Sequence, residues 1–210
     1  MKMMSDVLDS IVQSVEVKKD NDKFIMTLDK IDYEMLTNTI NNGLKKSSSD
    51  AAQIIEMLLS ALREKYTNNK ILCNVALIAK DAVSMASHLN TDGMRISLIV
   101  EKDFEIICSR QLMKHVIYNL IKNAFKHGGP EVKVDVKITN HKIIIEDNGV
   151  GIPEEKLKKI FDAFETNGNG SGIGLAFCKF VLDEIDGKIT CESEVGKYTR
   201  FIIWFENIHK

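Results

Sequence analysis

Apolar residues at Met4, Val7, Leu8, Ile11, Val12 and Val15 follow the three-and-four spacing of one helical face, which predicts a first helix over residues 4–15. The stretch KKDNDK (residues 18–23) then breaks the pattern with charge and turn formers. A second helical region is predicted from about Ile31. Within it, SSSDAAQIIEMLLSALREK offers Ser49 or Asp50 as N-cap, Gln53 as its capping-box partner, and Ile54, Ile55, Leu58, Leu59 and Leu62 as a broad apolar stripe.

After Tyr66-Thr67-Asn68-Asn69 the character of the chain changes, and a boundary is placed at residues 67–70. Residues 1–67 are read as one region and 68–210 as another. The second region is predicted to contain a helix over residues 75–86 and strands over 95–100 and 105–108 about the turn Lys102-Asp103. A longer helix follows over residues 110–127, with Leu112, Val116, Leu120 and Ile121 facing inward and Gly128-Gly129-Pro130 ending it. The period-2 runs VKVDVKI and HKIIIED predict a hairpin joined by Thr139-Asn140. A helix over residues 174–185 then precedes two strands, KITCES and RFIIWF, joined around Val195-Gly196-Lys197. Helices and strands are mixed without strict βαβ alternation. The fold class is therefore α+β, with helices on one face of a mainly antiparallel sheet.

Composition narrows the function classes. A chain of 210 residues, 44% hydrophobic, can bury a real core. A net charge of −2 with dispersed lysines gives no electrostatic reason to expect a nucleic-acid or anionic-membrane partner. Cys73, Cys108, Cys178 and Cys191 form no CxxC pair and stand with no histidine at zinc-ligand spacing, so reduced, cytoplasmic thiols are expected. No apolar run approaches the roughly 20 residues of a membrane span, and a membrane anchor is expected only through a segment outside this chain.

Two glycine clusters carry the candidate chemistry. Gly149 and Gly151 follow Asp147 at the end of an apolar strand, and Gly168, Gly170, Gly172 and Gly174 precede the helix near Leu175. Glycine lets the backbone approach a ligand, and a helix N-terminus offers free N–H groups to an anion, so GSGIGLAF is a plausible phosphate site. Each glycine alone is equally well read as a turn residue. The nucleotide templates GxxxxGK[ST] and GxGxxG are both absent. On the preceding helix, YNLIKNAFKH sets Asn119, Asn123, Lys126 and His127 along neighbouring positions. Amide oxygens can ligate a hard cation such as Mg²⁺ and a lysine can neutralise phosphate, although a solvent-facing polar stripe would look the same.

As an ordered set these pieces resemble the ATP-binding domain shared by histidine kinases, gyrase-type topoisomerases, Hsp90-type chaperones and mismatch-repair ATPases. NLIKNAFKH matches the N box, DNGVGIP the first glycine box, KIFDAF the F box and GSGIGLAFCK the second glycine box. A weaker third glycine box is EVGKYTRF, in which Tyr198 stands where glycine is common. The resemblance covers residues 70–206 and implies the Bergerat fold, a two-layer α/β sandwich with a mixed, mainly antiparallel sheet, preceded here by a helical hairpin. It implies ATP and Mg²⁺ as ligands. Asp147 would accept the adenine amino proton, Asn123 would hold Mg²⁺, and Asn119 and Lys126 would face the phosphates as the catalytic pair. His127 and Ile152 would line the adenine pocket, Gly149 and Gly151 would let the backbone bend around the base, and Thr199 would belong to the nucleotide site. Phe164, Gly170, Ser171, Gly172, Ile173, Gly174 and Leu175 would complete the nucleotide site, the glycines wrapping the phosphates.

Within this superfamily the hydrolysing branches carry glutamate at the first N-box position, where it activates water. Here that position is Asn119, which cannot take the proton, so the resemblance points to the sensor histidine kinase branch of two-component signal transduction. That branch implies a response regulator receiver domain as partner and a homodimer formed through residues 4–65. The broad gap before the second helix resembles quorum-sensing hybrid kinases. The acceptor motif, a histidine followed by an acid and then Pro-Leu, is absent: His88, His115, His127, His141 and His209 all lie in other contexts. The preferred expectation is a transferase whose chain begins just after the acceptor box and cannot autophosphorylate alone. The alternatives are a His-less kinase homologue acting as a nucleotide-binding dimeric interaction module and, less favoured, an Hsp90- or gyrase-like ATPase. The region between the F box and the second glycine box, ETNGNGSG, offers no Lys or Arg for the γ-phosphate. Lys156, Lys158 and Lys159 are read as a solvated helix face.

Overall fold

The computed structural model describes residues 16–20, 23–27, 70–89, 95–162 and 174–206. The chain divides into two compact units, Met1–Asn68 with Asp162–Ile173, and Asn69–Phe161 with Gly174–Lys210. In the first unit the described residues form strands β1 (Glu16–Asp20) and β2 (Lys23–Thr27), paired antiparallel with Asp20 opposite Lys23. These strands meet at the break KKDNDK, a stretch to which the sequence reading assigns charge and turn formers but no strand. Only Asn21 and Asp22 separate them, a turn-forming pair at two-residue hairpin length, flanked by the β-formers Val17, Phe24 and Ile25. The helices predicted over residues 4–15 and from Ile31 onward lie outside the described residues.

The second unit is built on a five-stranded sheet of order β4-β6-β7-β9-β8. Its strands are β4 (Ile96–Val100), β6 (Val134–Thr139), β7 (Lys142–Asp147), β8 (Gly187–Glu194) and β9 (Tyr198–Phe205). The pair β4–β6 is parallel and the other neighbours are antiparallel, so the sheet is mixed and mainly antiparallel as the sequence implies. Helices α1 (Val75–Met85), α2 (Arg110–His127) and α4 (Gly174–Asp183) cover one face, while α3 is a single turn, Glu154–Leu157. The period-2 pattern explains the layering. Val134, Val136 and Ile138 of β6, Ile143 and Ile145 of β7, and Phe201, Ile203 and Phe205 of β9 are all buried, and the intervening residues are not. Against them α2 sets Met113, Val116, Ile117, Leu120 and Ile121, each fully buried.

Local signals fix the helix ends. Asn74 accepts from the Leu77 N–H to cap α1, and Ser109 accepts from the Leu112 N–H to cap α2. The α2 helix runs over the predicted span and stops at Gly128. One strand has no counterpart in the sequence reading. β3 (Ile71–Asn74) pairs antiparallel with β5 (Glu105–Cys108), so β4 and β5 belong to different sheets despite the short turn between them. Cys73, Ile106 and Cys108 are buried beneath this ladder, and that burial draws β5 away from β4. The β6–β7 connection is Asn140-His141, one residue later than predicted, with His141 at φ 62°.

Candidate functional site

Along β7, Ile143 and Ile145 face the helical layer, and the strand's period of two carries the next inward position to Asp147. An acid therefore ends a row of core isoleucines, with only 6% of its surface exposed. The residue opposite it on β9, Thr199, is equally buried. Asp147 Oδ1 accepts from the Gly149 N–H at 2.9 Å, and a second backbone hydrogen bond comes from Thr199. Burial pushes the Asp147 carboxyl above the usual carboxylate range, the two backbone donors oppose that, and neighbouring Glu146 adds to the rise.

The loop after Asp147 is packed too closely for side chains. A Cβ on Gly149 would lie 2.5 Å from Gly128 Cα and 2.7 Å from Asp147 Oδ1. This contact brings the C-terminal end of α2, with His127 beside Gly128, against the start of the loop. Gly151 has φ +71°, and a Cβ there would lie 2.3 Å from the Glu194 carbonyl oxygen. From the β8–β9 hairpin, Ser193 Oγ accepts the Ile152 N–H at 2.8 Å and the Gly196 N–H donates to Val150 O at 2.8 Å.

On α2 the polar positions are graded by depth. Asn119 is buried, Asn123 is half-buried, and Lys126 and His127 are exposed. Asn119 is thus no part of a solvent-facing stripe: its side chain hydrogen-bonds to Cys178 on α4, whose thiol burial holds well above its ordinary range. Lys126 and His127 occupy the last turn, where positive charge complements the helix dipole. Gly174 and Leu175 open α4 and are half-buried. Lys156, Lys158 and Lys159 are exposed. Phe161, of the F box, meets Phe201 edge-on at 6.4 Å between ring centroids.

The described geometry gathers Asp147, Gly149, Gly151, Ile152 and Thr199 around one loop and places Asn119, Asn123, Lys126 and His127 along the helix that abuts it. Phe164, Gly170, Ser171, Gly172 and Ile173 lie outside the described residues. Two residues absent from the sequence-level site belong beside it. Gly128 reads in the sequence only as a helix stop, and its contact with Gly149 has no sequence signal. Ser193 could have been found, since it occupies an inward β8 position directly opposite Thr199. Among the described residues no group of His, Cys, Asp or Glu is arranged to hold a metal ion. Asn123, half-buried on α2, carries an amide oxygen that could serve a hard cation.

Residues 108–208 match the family described as histidine kinase-, DNA gyrase B-, and HSP90-like ATPase. The chain is similar to the CAI-1 autoinducer sensor kinase/phosphatase CqsS of Vibrio cholerae serotype O1, 34% identical over 160 residues, covering 72% of this chain and 23% of that protein. It is also similar to sporulation kinase C of Bacillus subtilis, 26% identical over 237 aligned positions, covering 94% of this chain and 55% of that protein. The chain thus spans only part of the length of these relatives. Among solved structures, the mycobacterial sensor histidine kinase MprB superposes with a TM-score of 0.58 at 20% identity, covering 64% of this chain and 95% of that one. The catalytic domain of histidine kinase ThkA gives 0.56 at 23% identity, covering 64% and 93%. At these identities the structural likeness establishes the shared fold. Among the described residues no helix is long and apolar enough to cross a membrane.

Proposed function

We propose a phosphotransfer function from one established fact: residues 108–208 are a domain of the histidine kinase-, DNA gyrase B-, and HSP90-like ATPase family. In this reading residues 68–210 bind Mg-ATP as the catalytic unit of a two-component sensor histidine kinase. The γ-phosphoryl passes to a histidine outside this chain segment, and residues 1–67 serve dimerisation. Asp147 accepts the adenine amino proton, with Thr199 at its side and Ile152 and His127 lining the base. Asn119 and Lys126 face the phosphates, Asn123 holds Mg²⁺, and Gly170 to Leu175 wrap the triphosphate. Bound Mg²⁺ supplies charge neutralisation on the phosphate oxygens. The chain's own residues contribute position and charge: Asn119 has no basic group with which to activate water, which favours transfer to a histidine over hydrolysis. A response regulator receiver domain is the partner that would take the phosphoryl group onward.

The observation that supports this reading most is the buried Asp147, an acid on the core-facing side of β7 whose loop has no room for a Cβ at Gly149. A buried carboxylate that already accepts two backbone donors still has lone pairs to offer an amino group. The experiment is a titration of the chain with Mg-ATP. Labelled ATP is then supplied with a helical hairpin that carries an acceptor histidine. Acid-labile, base-stable label on the hairpin supports the kinase. Binding without transfer supports the second reading, a nucleotide-binding interaction module, which the absence of an acceptor context around any of the five histidines keeps in view. Turnover of free ATP at several per minute would instead place the chain with the hydrolysing branches.

A further inference from the structure

Between Asp147 and Pro153 the loop carries two glycines and an exposed Val150, and its near end is tied to Lys133 by Asn148, whose Oδ1 accepts the Lys133 N–H at 2.7 Å. Its far end is held from the β8–β9 hairpin by two hydrogen bonds, one from the Gly196 N–H to the Val150 carbonyl and one from the Ile152 N–H to the Ser193 hydroxyl. Ser193 Oγ accepts the Ile152 N–H at 2.8 Å, donates to the Tyr198 carbonyl at 2.7 Å, and lies 3.3 Å from Thr199 Oγ1. A hydroxyl has one proton and two lone pairs. With its proton committed to Tyr198, both lone pairs are left for the Ile152 N–H and the Thr199 hydroxyl.

We infer that Ser193 is a positioning residue for nucleobase recognition, tying Ile152 and Thr199 into register with Asp147 without itself touching the base. The inference rests on the reading of Asp147 as the adenine acceptor. Of the three residues Ser193 contacts, Thr199 is the cross-strand partner of Asp147 and Ile152 stands near the far end of the loop that Asp147 opens. Alanine at position 193 removes the hydroxyl that accepts the Ile152 N–H and loosens both residues at once. Threonine keeps the hydroxyl and is the conservative rescue.

The test measures the affinities of the full chain for ATP and GTP by calorimetry, in the parent and in Ser193→Ala, Ser193→Thr and Asp147→Asn, with melting curves for each. Ser193→Ala should lower the ratio of ATP to GTP affinity by about tenfold, the weight of one part-buried hydrogen-bonding group losing its partner. Ser193→Thr should restore the ratio. A role confined to stability would lower the melting temperature and weaken both nucleotides together, and that result overturns the inference. So does a Ser193→Ala ratio within about twofold of the parent while Asp147→Asn has lost its ATP preference. If Asp147→Asn itself binds ATP as the parent does, the adenine reading falls and Ser193's role with it.

Discussion

The two ends of the candidate site are made of different material. At the proposed base end, Asp147 and Thr199 sit on adjacent strands of the sheet, buried to the same degree, with polar contacts from backbone to Asp147 and from Ser193 to Thr199. At the end proposed for the phosphates, the α2 residues climb from buried Asn119 through half-buried Asn123 to exposed Lys126 and His127. Recognition of a flat, weakly polar base gains from a rigid, dry acceptor, because a buried group left without its partner is penalised. Neutralising a triphosphate needs charge that stays hydrated until the ligand arrives, which a solvent-facing helix end provides. The difference predicts that substitutions at the base end act steeply on affinity or fold, and that those along α2 weaken in effect toward solvent.

The steepest effect is expected at Asp147. Asp147→Asn should lower ATP affinity about a hundredfold in calorimetry, since the amide presents a donor where an acceptor is required. The same variant should be no less stable without nucleotide. The parent carboxyl, raised by burial in the fold, contributes stability while protonated, and that contribution is lost as pH rises through the folded pKa. The amide of the variant does not ionise, so melting temperatures of the two proteins should diverge in the variant's favour as pH rises above the ordinary carboxylate range. A parent that gains stability relative to the variant above that range would contradict the buried, raised carboxyl. Next comes Gly149→Ala, whose Cβ meets backbone at Gly128. Overpacking against backbone should destabilise the fold by about 1–3 kcal/mol in denaturant unfolding. A neutral result would mean that the end of α2 can move away from the loop.

The same contrast separates what the sequence discloses from what it hides. The inward register of β6 is legible, because the alternation in VDVKIT marks Val134, Val136 and Ile138 as one face, whereas the three consecutive isoleucines of KIIIED leave the face of Asp147 to be set by pairing with β6. The N-box helix is legible because Ser109 and Gly128 bracket its apolar stripe. Periodicity could not show that Asn119 turns into the core, since the amide falls among leucines and isoleucines and only tertiary packing against Cys178 decides its environment. Nor could it reveal that β5 pairs with β3, a match between segments far apart in sequence whose register depends on burying Cys73, Ile106 and Cys108 together. The β1–β2 hairpin was hidden because charged residues in KKDNDK resemble a helix break as much as a turn. Gly128 against Gly149 is a contact between a helix end and a loop, and a linear pattern carries no trace of it.

Along α2 the middle effect belongs to Asn123. Asn123→Ala should weaken Mg-ATP binding by about tenfold and leave ADP binding in the absence of Mg²⁺ nearly unchanged, because its amide oxygen is assigned to the ion. Equal losses with and without Mg²⁺ would move Asn123 from the metal to the nucleotide itself.

Lys126 should matter least, and its small effect should have a distinctive shape. The residue is exposed in the final turn of α2, so it is solvated before the ligand arrives and gains only a screened attraction when phosphates approach. Lys126→Gln should therefore reduce ATP affinity by about threefold at low salt, with the difference fading as ionic strength approaches the molar range. Unfolding free energy should shift by no more than about 0.5 kcal/mol, since the side chain fills no core. The salt dependence is the informative part. A loss that persists undiminished in high salt requires a desolvated lysine in the bound state, and would place the phosphate end in the same dry class as Asp147.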